Sequence, residues 1–234
     1  MSDQAVTLKL VRVKCVDETG GRFVERFGND EIWLTGVAVD ATATTHNLAP
    51  FEVYPHFDDG DIKEFRPPKT IFTLKVPGGG TFPKSCVATL LLAEKDSGDL
   101  TQLAKEVFEK TTKHIEEKKN EMGMGEGEEP PPDIWDTIWN TAKEFAYKYI
   151  KDRILAGLRD DVFPPQTVSL SITSDDFRWE AGTKMSPETT VEFRGHDGVY
   201  YLVYYWEIET LESERPSRGG GEVFTPVRGG VVNP

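Results

Sequence analysis

The chain has 234 residues, of which 38% are hydrophobic and 29% charged, a composition that allows a sizeable core and excludes wholesale disorder. The formal net charge of −13 argues against a nucleic-acid-binding protein, because phosphate contacts need a basic surface. It also disfavours constitutive attachment to anionic lipid unless a cation bridges the two.

The first part of the chain alternates apolar and polar residues, as half-buried strands do. This alternation is clear over residues 6–16, and a second strand is predicted over residues 32–40. A further strand over residues 51–57 contains Pro55, which indicates a sheet edge or a bulge because proline cannot donate to the ladder.

Turn residues divide the next part of the chain. Pro67 and Pro68 predict a break before a strand over residues 70–76, and a glycine triplet at 78–80 predicts a flexible turn. Residues 84–94 are apolar on both faces near their end, which is typical of a central strand. Short strands at near-regular spacing predict an antiparallel sandwich rather than βαβ units.

The hydrophobic period then changes to that of helices. Apolar residues recur at helical spacing from Asp99, a good N-cap, to about Asn120. Residues 121–132 carry four Glu, three Gly, three Pro and no basic residue, which indicates an exposed acidic linker. Asp133 caps a second helix with a broad apolar face that ends near Arg159. The pattern therefore predicts an amphipathic helical hairpin.

Strands resume after the hairpin, over residues 167–173, 189–193 and 199–208, and the last is dense in aromatic and β-branched residues. We predict an α+β, mainly β fold, an antiparallel β-sandwich with an inserted helical hairpin. It forms a single domain over residues 1–211, with the hairpin at about 99–159, followed by a flexible Gly/Pro/Arg-rich tail over residues 212–234.

Compartment and redox state follow from what the sequence lacks. No apolar run approaches the ~18 residues that span a bilayer, and no Sec-type signal is visible, so a cytoplasmic location is the default and a non-Sec export route stays open. Two cysteines, Cys15 and Cys86, are too few for a disulfide scaffold. A bridge between them requires that their strands be neighbours.

A search for catalytic motifs returns none. The chain has no G-x-S-x-G elbow, Walker A loop, Rossmann fingerprint or H-E-x-x-H helix. Its four histidines are dispersed, without zinc-ligand spacing: His46, His56, His114 and His196. We therefore predict no catalytic residue and place an enzyme of unrecognised type behind binding functions.

Carboxylates at strand ends are the one suggestive group. They are Asp17, Glu18, Asp30, Glu31, Asp58, Asp59, Asp61, Glu94, Asp96 and Asp99. Hard oxygen ligands from several loops are what the ~6–8-coordinate shell of Ca²⁺ requires, although none of these groups has EF-hand spacing. The alternative is that Asp and Gly simply make good turns. The metal hypothesis requires these loops to share one end of the sandwich.

Three segments carry a resemblance to a known type of module: K-L-V-R-V-K-C-V-D-E-T-G at 9–20, D-E-I-W-L at 30–34, and F-P-K-S-C-V-A-T-L-L-L-A-E-K-D-S-G-D at 82–99. Over roughly residues 6–99 the chain resembles a β-sandwich module of uncharacterised bacterial proteins, and its acidic loops are similar in style to those of C2 domains. The resemblance implies paired aspartates in two loops at one end. The residues available for that part are Asp58, Asp59, Asp61, Asp96 and Asp99.

The hairpin lies outside that pattern and has three interpretations. Its apolar faces could pack on each other and on the sandwich, form an interface for a protein partner or for self-association, or insert into a membrane as in pore-forming toxins. The acidic linker disfavours insertion. The leading hypothesis is a non-enzymatic binding or structural module that Ca²⁺ could stabilise, acting through protein–protein contacts. A toxin-like or effector protein that engages membranes is the alternative.

Overall fold

A computed structural model of the protein describes residues 2–19, 30–94, 99–125, 131–155 and 161–211. Its strands are β1 (Gln4–Asp17), β2 (Asp30–Val39), β3 (Thr45–Phe57), β4 (Ile62–Val76), β5 (Lys84–Glu94), β6 (Asp161–Val162), β7 (Gln166–Ile172), β8 (Thr189–Gly195) and β9 (Gly198–Thr210). Its α-helices are α1 (Asp99–Glu121) and α2 (Pro132–Leu155). The predicted tail over residues 212–234 lies outside the described residues.

The strands form two antiparallel sheets that pack face to face. The first sheet has the order β4-β1-β9-β8, and the second has the order β3-β2-β5, with β6 and β7 both pairing with the far side of β5. Strands β3 and β4 are therefore edge strands of different sheets. The predicted fold class, a mainly β sandwich with two added helices, is confirmed.

The main core lies between the two sheets. Alternate residues of β1, such as Leu8 and Leu10, and of β9, such as Leu202 and Trp206, point inward and are buried. Each fully buried side chain of this size contributes about 1.5–3 kcal/mol relative to an exposed one. This period-two burial is the reason why the alternating segments of the sequence form strands.

The helical hairpin covers the outer face of the second sheet. A separate apolar cluster joins strand residues Val37 and Leu91 to Leu103 of α1 and Ile150 of α2. The described faces of both helices thus pack on the sandwich and on each other, as the first of the three interpretations requires. Within the described parts of the chain, neither helix is long and apolar enough to cross a membrane.

Several predicted boundaries were wrong. Strand β3 begins at Thr45 rather than at residue 51. Helix α2 begins at Pro132, since proline is tolerated in the first turn of a helix, so Asp133 lies within the helix rather than capping it.

The sequence predicted a break at Pro67 and Pro68, yet β4 continues through both. Pairing with β1 jumps there, since Leu10 lies opposite Lys69 but Arg12 lies opposite Glu64, so the prolines occupy an irregularity of the ladder. Proline is tolerated because β4 is an edge strand and its outer side needs no backbone donor.

Candidate functional site

The predicted acidic loops do share one end of the sandwich. The backbone N–H of Glu18, after β1, donates to Asp59 Oδ1 in the β3–β4 turn at 2.9 Å. The next backbone N–H, that of Thr19, donates to Asp30 Oδ2 at the start of β2 at 2.7 Å. We call this region, formed by residues 17–19, 30, 58–61 and 94, the acidic end. The condition for the metal hypothesis, loops that share an end, is therefore met.

Asp30 is the buried centre of the acidic end, with 3% of its surface exposed. Its Oδ2 accepts hydrogen bonds from the Thr19 N–H and the Tyr200 hydroxyl, and its Oδ1 accepts from the Thr19 hydroxyl at 2.8 Å. Burial, together with the hydrogen bond to Asp30, raises the pKa of Tyr200 above its ordinary value. In this arrangement Asp30 joins three parts of the chain, and its acceptor capacity is largely used by protein donors.

The Thr19 hydroxyl lies between two carboxylates. It is within hydrogen-bond distance of both Asp30 Oδ1 and Glu94 Oε2. A hydroxyl has one proton to donate, so it can satisfy only one of these oxygens as a donor.

Other predicted ligands are placed differently. Asp58 and Asp61 hydrogen-bond within their own turn, where the Asp58 N–H donates to Asp61 Oδ2 at 3.2 Å. Glu31 Oε1 accepts from Trp33 Nε1 at 2.7 Å, and Asp17 ends β1 as an exposed residue. Asp96 lies outside the described residues, and Asp99 begins α1 but its side chain is not among those described.

No metal site is assembled by the described residues alone. Within the described ranges, no group of three His, Cys, Asp or Glu side chains is placed to hold a metal ion. The Ca²⁺ hypothesis therefore stays a prediction for this end of the molecule.

A second polar centre, which the sequence reasoning missed, lies at the opposite end of β2. Asp40 is 2% exposed, and its Oδ1 accepts from the Thr42 N–H, the Thr42 hydroxyl and the Thr44 N–H at 2.7–3.1 Å. Its Oδ2 lies 2.8 Å from His46 Nε2. Burial acts to raise the pKa of Asp40, but the hydrogen bonds from His46 and Thr42 outweigh it, and the pKa lies below its ordinary value.

The two cysteines lie in different sheets. Cys15 is on β1 and Cys86 on β5, strands that are not neighbours, and both are free and buried. Burial raises the pKa of Cys15 to about 12 and raises that of Cys86 as well. Both groups are therefore protonated at neutral pH, as core cysteines are, and the condition for a bridge is not met.

An open groove runs between the edge strands β3 and β4, with a volume of about 680 Å³. We call it the β3–β4 groove. Lys63 Nζ lies 5.7 Å from the ring centroid of Tyr54, and Lys69 Nζ lies 4.3 Å from that of Phe51. Both lysines thus reach from β4 across to aromatic rings of β3, and such cation–π contacts contribute about 0.5–1 kcal/mol at exposed positions.

Charged residues and prolines line this groove. Its charged lining consists of Lys63, Arg66 and Lys69 against Glu52 and Glu64. The Arg66 side chain is 83% exposed and forms an ion pair with Glu64. Three prolines, two of them consecutive, also line it: Pro55, Pro67 and Pro68. The sequence signal that could have found the groove is this combination of cations, aromatics and prolines on two strands joined by a short turn.

Comparisons with known proteins give little further identification. No family model matches the chain, and no curated protein matches it. Among solved structures, the chain is similar to a C2 domain protein from Ramazzottius varieornatus, at 12% sequence identity and a TM-score of 0.30. That match covers 88% of this chain and 89% of the other. A likeness at this TM-score carries no property from that protein to this one.

Proposed function

We propose that the protein is a binding module that acts through protein–protein contacts, and that the β3–β4 groove receives an acidic segment of the partner. The observation that supports this is the lining of the groove. Three basic side chains and half-buried aromatic rings lie together in a chain whose net charge is −13. Aromatic residues and arginine are also the types most enriched at protein interfaces.

The partner is expected to be acidic only locally. A strongly acidic protein would be repelled by the body of this chain at distances up to the Debye length, about 8 Å at physiological ionic strength. A short acidic segment on a neutral or basic partner would avoid this repulsion and still reach the ammonium groups of Lys63 and Lys69. Added salt should therefore act on association in two ways, because it screens the attraction to the lysines of the groove and also the repulsion by the acidic body of the chain.

Docking is expected to use side chains rather than strand addition. An added strand needs a row of backbone N–H donors along the sheet edge. Pro55 on β3 and Pro67 and Pro68 on β4 remove donors from the two edges that border the groove. The prolines thereby favour a ligand whose carboxylates meet the lysines and whose apolar side chains meet Tyr54 and Phe65.

The test is peptide binding measured by fluorescence anisotropy. The probe is a labelled heptapeptide that alternates Glu with Leu, compared with one that alternates Lys with Leu. We expect the acidic peptide to bind and Lys69→Glu to weaken its binding at least about tenfold, which corresponds to about 1.4 kcal/mol. Lys63→Glu should act in the same direction.

A matched control distinguishes the effect of a charge change in the groove from the effect of a change in net charge. Lys105→Glu makes the same change of charge at an exposed position of α1, where the side chain is 68% exposed, and should leave peptide binding within about twofold. Lys69→Met keeps the apolar stem and guards against misfolding of the charge-reversed variant. The proposal fails if the acidic peptide does not bind, if the basic peptide binds better, or if Lys105→Glu and Lys69→Glu weaken binding equally.

Calcium stabilisation of the acidic end is a second proposal, and the convergence of Asp30, Asp59 and Glu94 on residues 18 and 19 favours it. A cation near these oxygens would offset the repulsion between the carboxylates. We expect CaCl₂ at about 1 mM to raise the melting temperature above its value in EDTA, because a ligand of the folded state stabilises it. Asp59→Asn should reduce that rise, and equal melting temperatures in the two buffers would overturn the proposal.

A further inference from the structure

We infer that the cavity between the β2–β3 loop and α1 binds a small primary ammonium compound. This cavity, which we call the threonine pocket, has a volume of about 520 Å³, within the range of small-molecule sites. Four threonines line it, Thr42, Thr44, Thr45 and Thr112. The inference concerns a different surface from the β3–β4 groove and does not depend on the proposed function.

On the side of the pocket formed by the β2–β3 loop, the threonine hydroxyl protons already form hydrogen bonds within the protein. The Thr42 hydroxyl donates to Asp40 Oδ1 at 2.7 Å, and an ionised carboxylate can only accept. Thr44 Oγ1 lies 2.8 Å from Thr42 Oγ1, so Thr44 is the donor of that pair. Thr44, an exposed residue, is thereby left with lone pairs but no proton for a ligand.

On the helix side, the same logic applies to a second pair. The Thr112 hydroxyl donates to the Phe108 carbonyl at 2.9 Å, one turn earlier in α1. Thr45 Oγ1 lies 2.7 Å from Thr112 Oγ1, so Thr45 is the donor and offers only lone pairs to the cavity. Two hydroxyls at adjacent positions, those of Thr44 and Thr45, therefore present acceptors to the threonine pocket.

The remaining lining adds one carboxylate, one ammonium group and apolar surface. Glu116 contributes a carboxylate, and the cavity adjoins the C-terminal turns of α1, where the helix dipole favours positive charge. Ile115 and Met124 supply apolar surface. Lys119 is the cation on this wall and would interact with an anion instead. An ammonium donates three hydrogen bonds and accepts none, which matches the acceptor-rich part of the wall.

Two probes of equal carbon number test the charge preference directly. Binding of n-butylammonium and of butyrate to the full chain would be followed by saturation-transfer NMR and by calorimetric titration. We expect n-butylammonium to bind and butyrate not to bind. Thr45→Val, which removes one acceptor at nearly constant volume, should weaken ammonium binding at least about fivefold.

Two further threonine variants, one distant from the pocket and one in it, accompany this test. Thr73→Val removes a hydroxyl from a Thr–Thr pair on the first sheet, where Thr7 Oγ1 and Thr73 Oγ1 are 3.4 Å apart, and should not change ammonium binding. Thr44→Val alters an exposed side chain and serves if Thr45→Val does not fold; it should weaken binding in the same way. Butyrate binding as tight as that of n-butylammonium, no binding of the ammonium probe, or unchanged ammonium binding in the folded threonine variants would each overturn the inference.

Discussion

Strand β2 is bracketed by two buried aspartates that are satisfied in different ways. Asp30 and Asp40 are 3% and 2% exposed. Asp30 accepts from Thr19, 11 residues away, and from Tyr200, 170 residues away, whereas every partner of Asp40 lies within six residues of it. The network around Asp40 can form as soon as its loop does, while that around Asp30 requires both sheets in place. Loss of the Asp30 network should therefore lower the free energy of unfolding more than loss of the Asp40 network.

The largest effect is expected from Asp30→Ala. It leaves the Thr19 N–H and the Tyr200 hydroxyl short of an acceptor in a buried region, whereas the Thr19 hydroxyl keeps Glu94 Oε2 as an acceptor. Unsatisfied buried donors of this kind cost about 1–3 kcal/mol each, so the free energy of unfolding should fall by about 3–4 kcal/mol. Urea denaturation at neutral pH measures this. Asp58→Ala, at the exposed turn beside it, should change stability by about 0.5 kcal/mol or less; a loss as large as that of Asp30→Ala would contradict the assignment.

A loss of about 2 kcal/mol is expected from Asp40→Asn, with a distinct pH dependence. Because the pKa of Asp40 is lowered in the folded chain, its contribution to stability is complete at neutral pH. It is lost as the pH falls below about 4, where the unfolded chain takes up the proton first. The variant should therefore show a shallower decline of the free energy of unfolding below pH 4. An acid limb as steep as that of the wild type would contradict the lowered pKa.

The strands could be predicted from the sequence, whereas contacts between distant strands could not. The alternation of β1 and β9 predicted their strands because one face of each is buried in the main core. The sequence left open whether the acidic loops converge, because convergence depends on the order of the strands in two sheets. The bond between Asp30 and Tyr200 could not be predicted, since it depends on the packing of β2 against β9, which belong to different sheets.

Two features were missed for other reasons. The Asp40 network is local, and its signal, an aspartate followed at two and four residues by Thr42 and Thr44, is an ordinary Asx-type turn pattern that predicts no function. The β3–β4 groove was missed because lysines on edge strands are usual. Its recognition needs the two strands to face each other across different sheets, which no local pattern reveals.

A smaller effect is expected when one bond of the acidic end is removed with little change of shape. Tyr200→Phe deletes the hydroxyl that donates to Asp30 and keeps the ring, whose edge-to-face contacts with Phe57 and Phe163 have centroid distances of 5.5 Å. Hydrogen bonds to charged groups contribute about 1.5–3 kcal/mol, and a loss near the lower limit is expected because Asp30 keeps its bonds from Thr19. Thermal unfolding checks this. If Tyr200→Phe cost more than Asp30→Ala, the aspartate would not be the centre of the network.

The smallest effect tests whether the acidic end is tightly packed as well as hydrogen-bonded. A Cβ at Gly198 would lie 2.9 Å from Thr19 Cγ2, so Gly198→Ala should cost about 1 kcal/mol through this contact. Thr19→Ser removes that methyl group and keeps the hydroxyl between Asp30 and Glu94. In the double variant the cost of Gly198→Ala should therefore shrink, with a coupling energy of about 0.5–1 kcal/mol in a double-mutant cycle. Additive effects would mean that Thr19 moves aside easily, and that the position of its hydroxyl is less tightly held than the bonds to Asp30 imply.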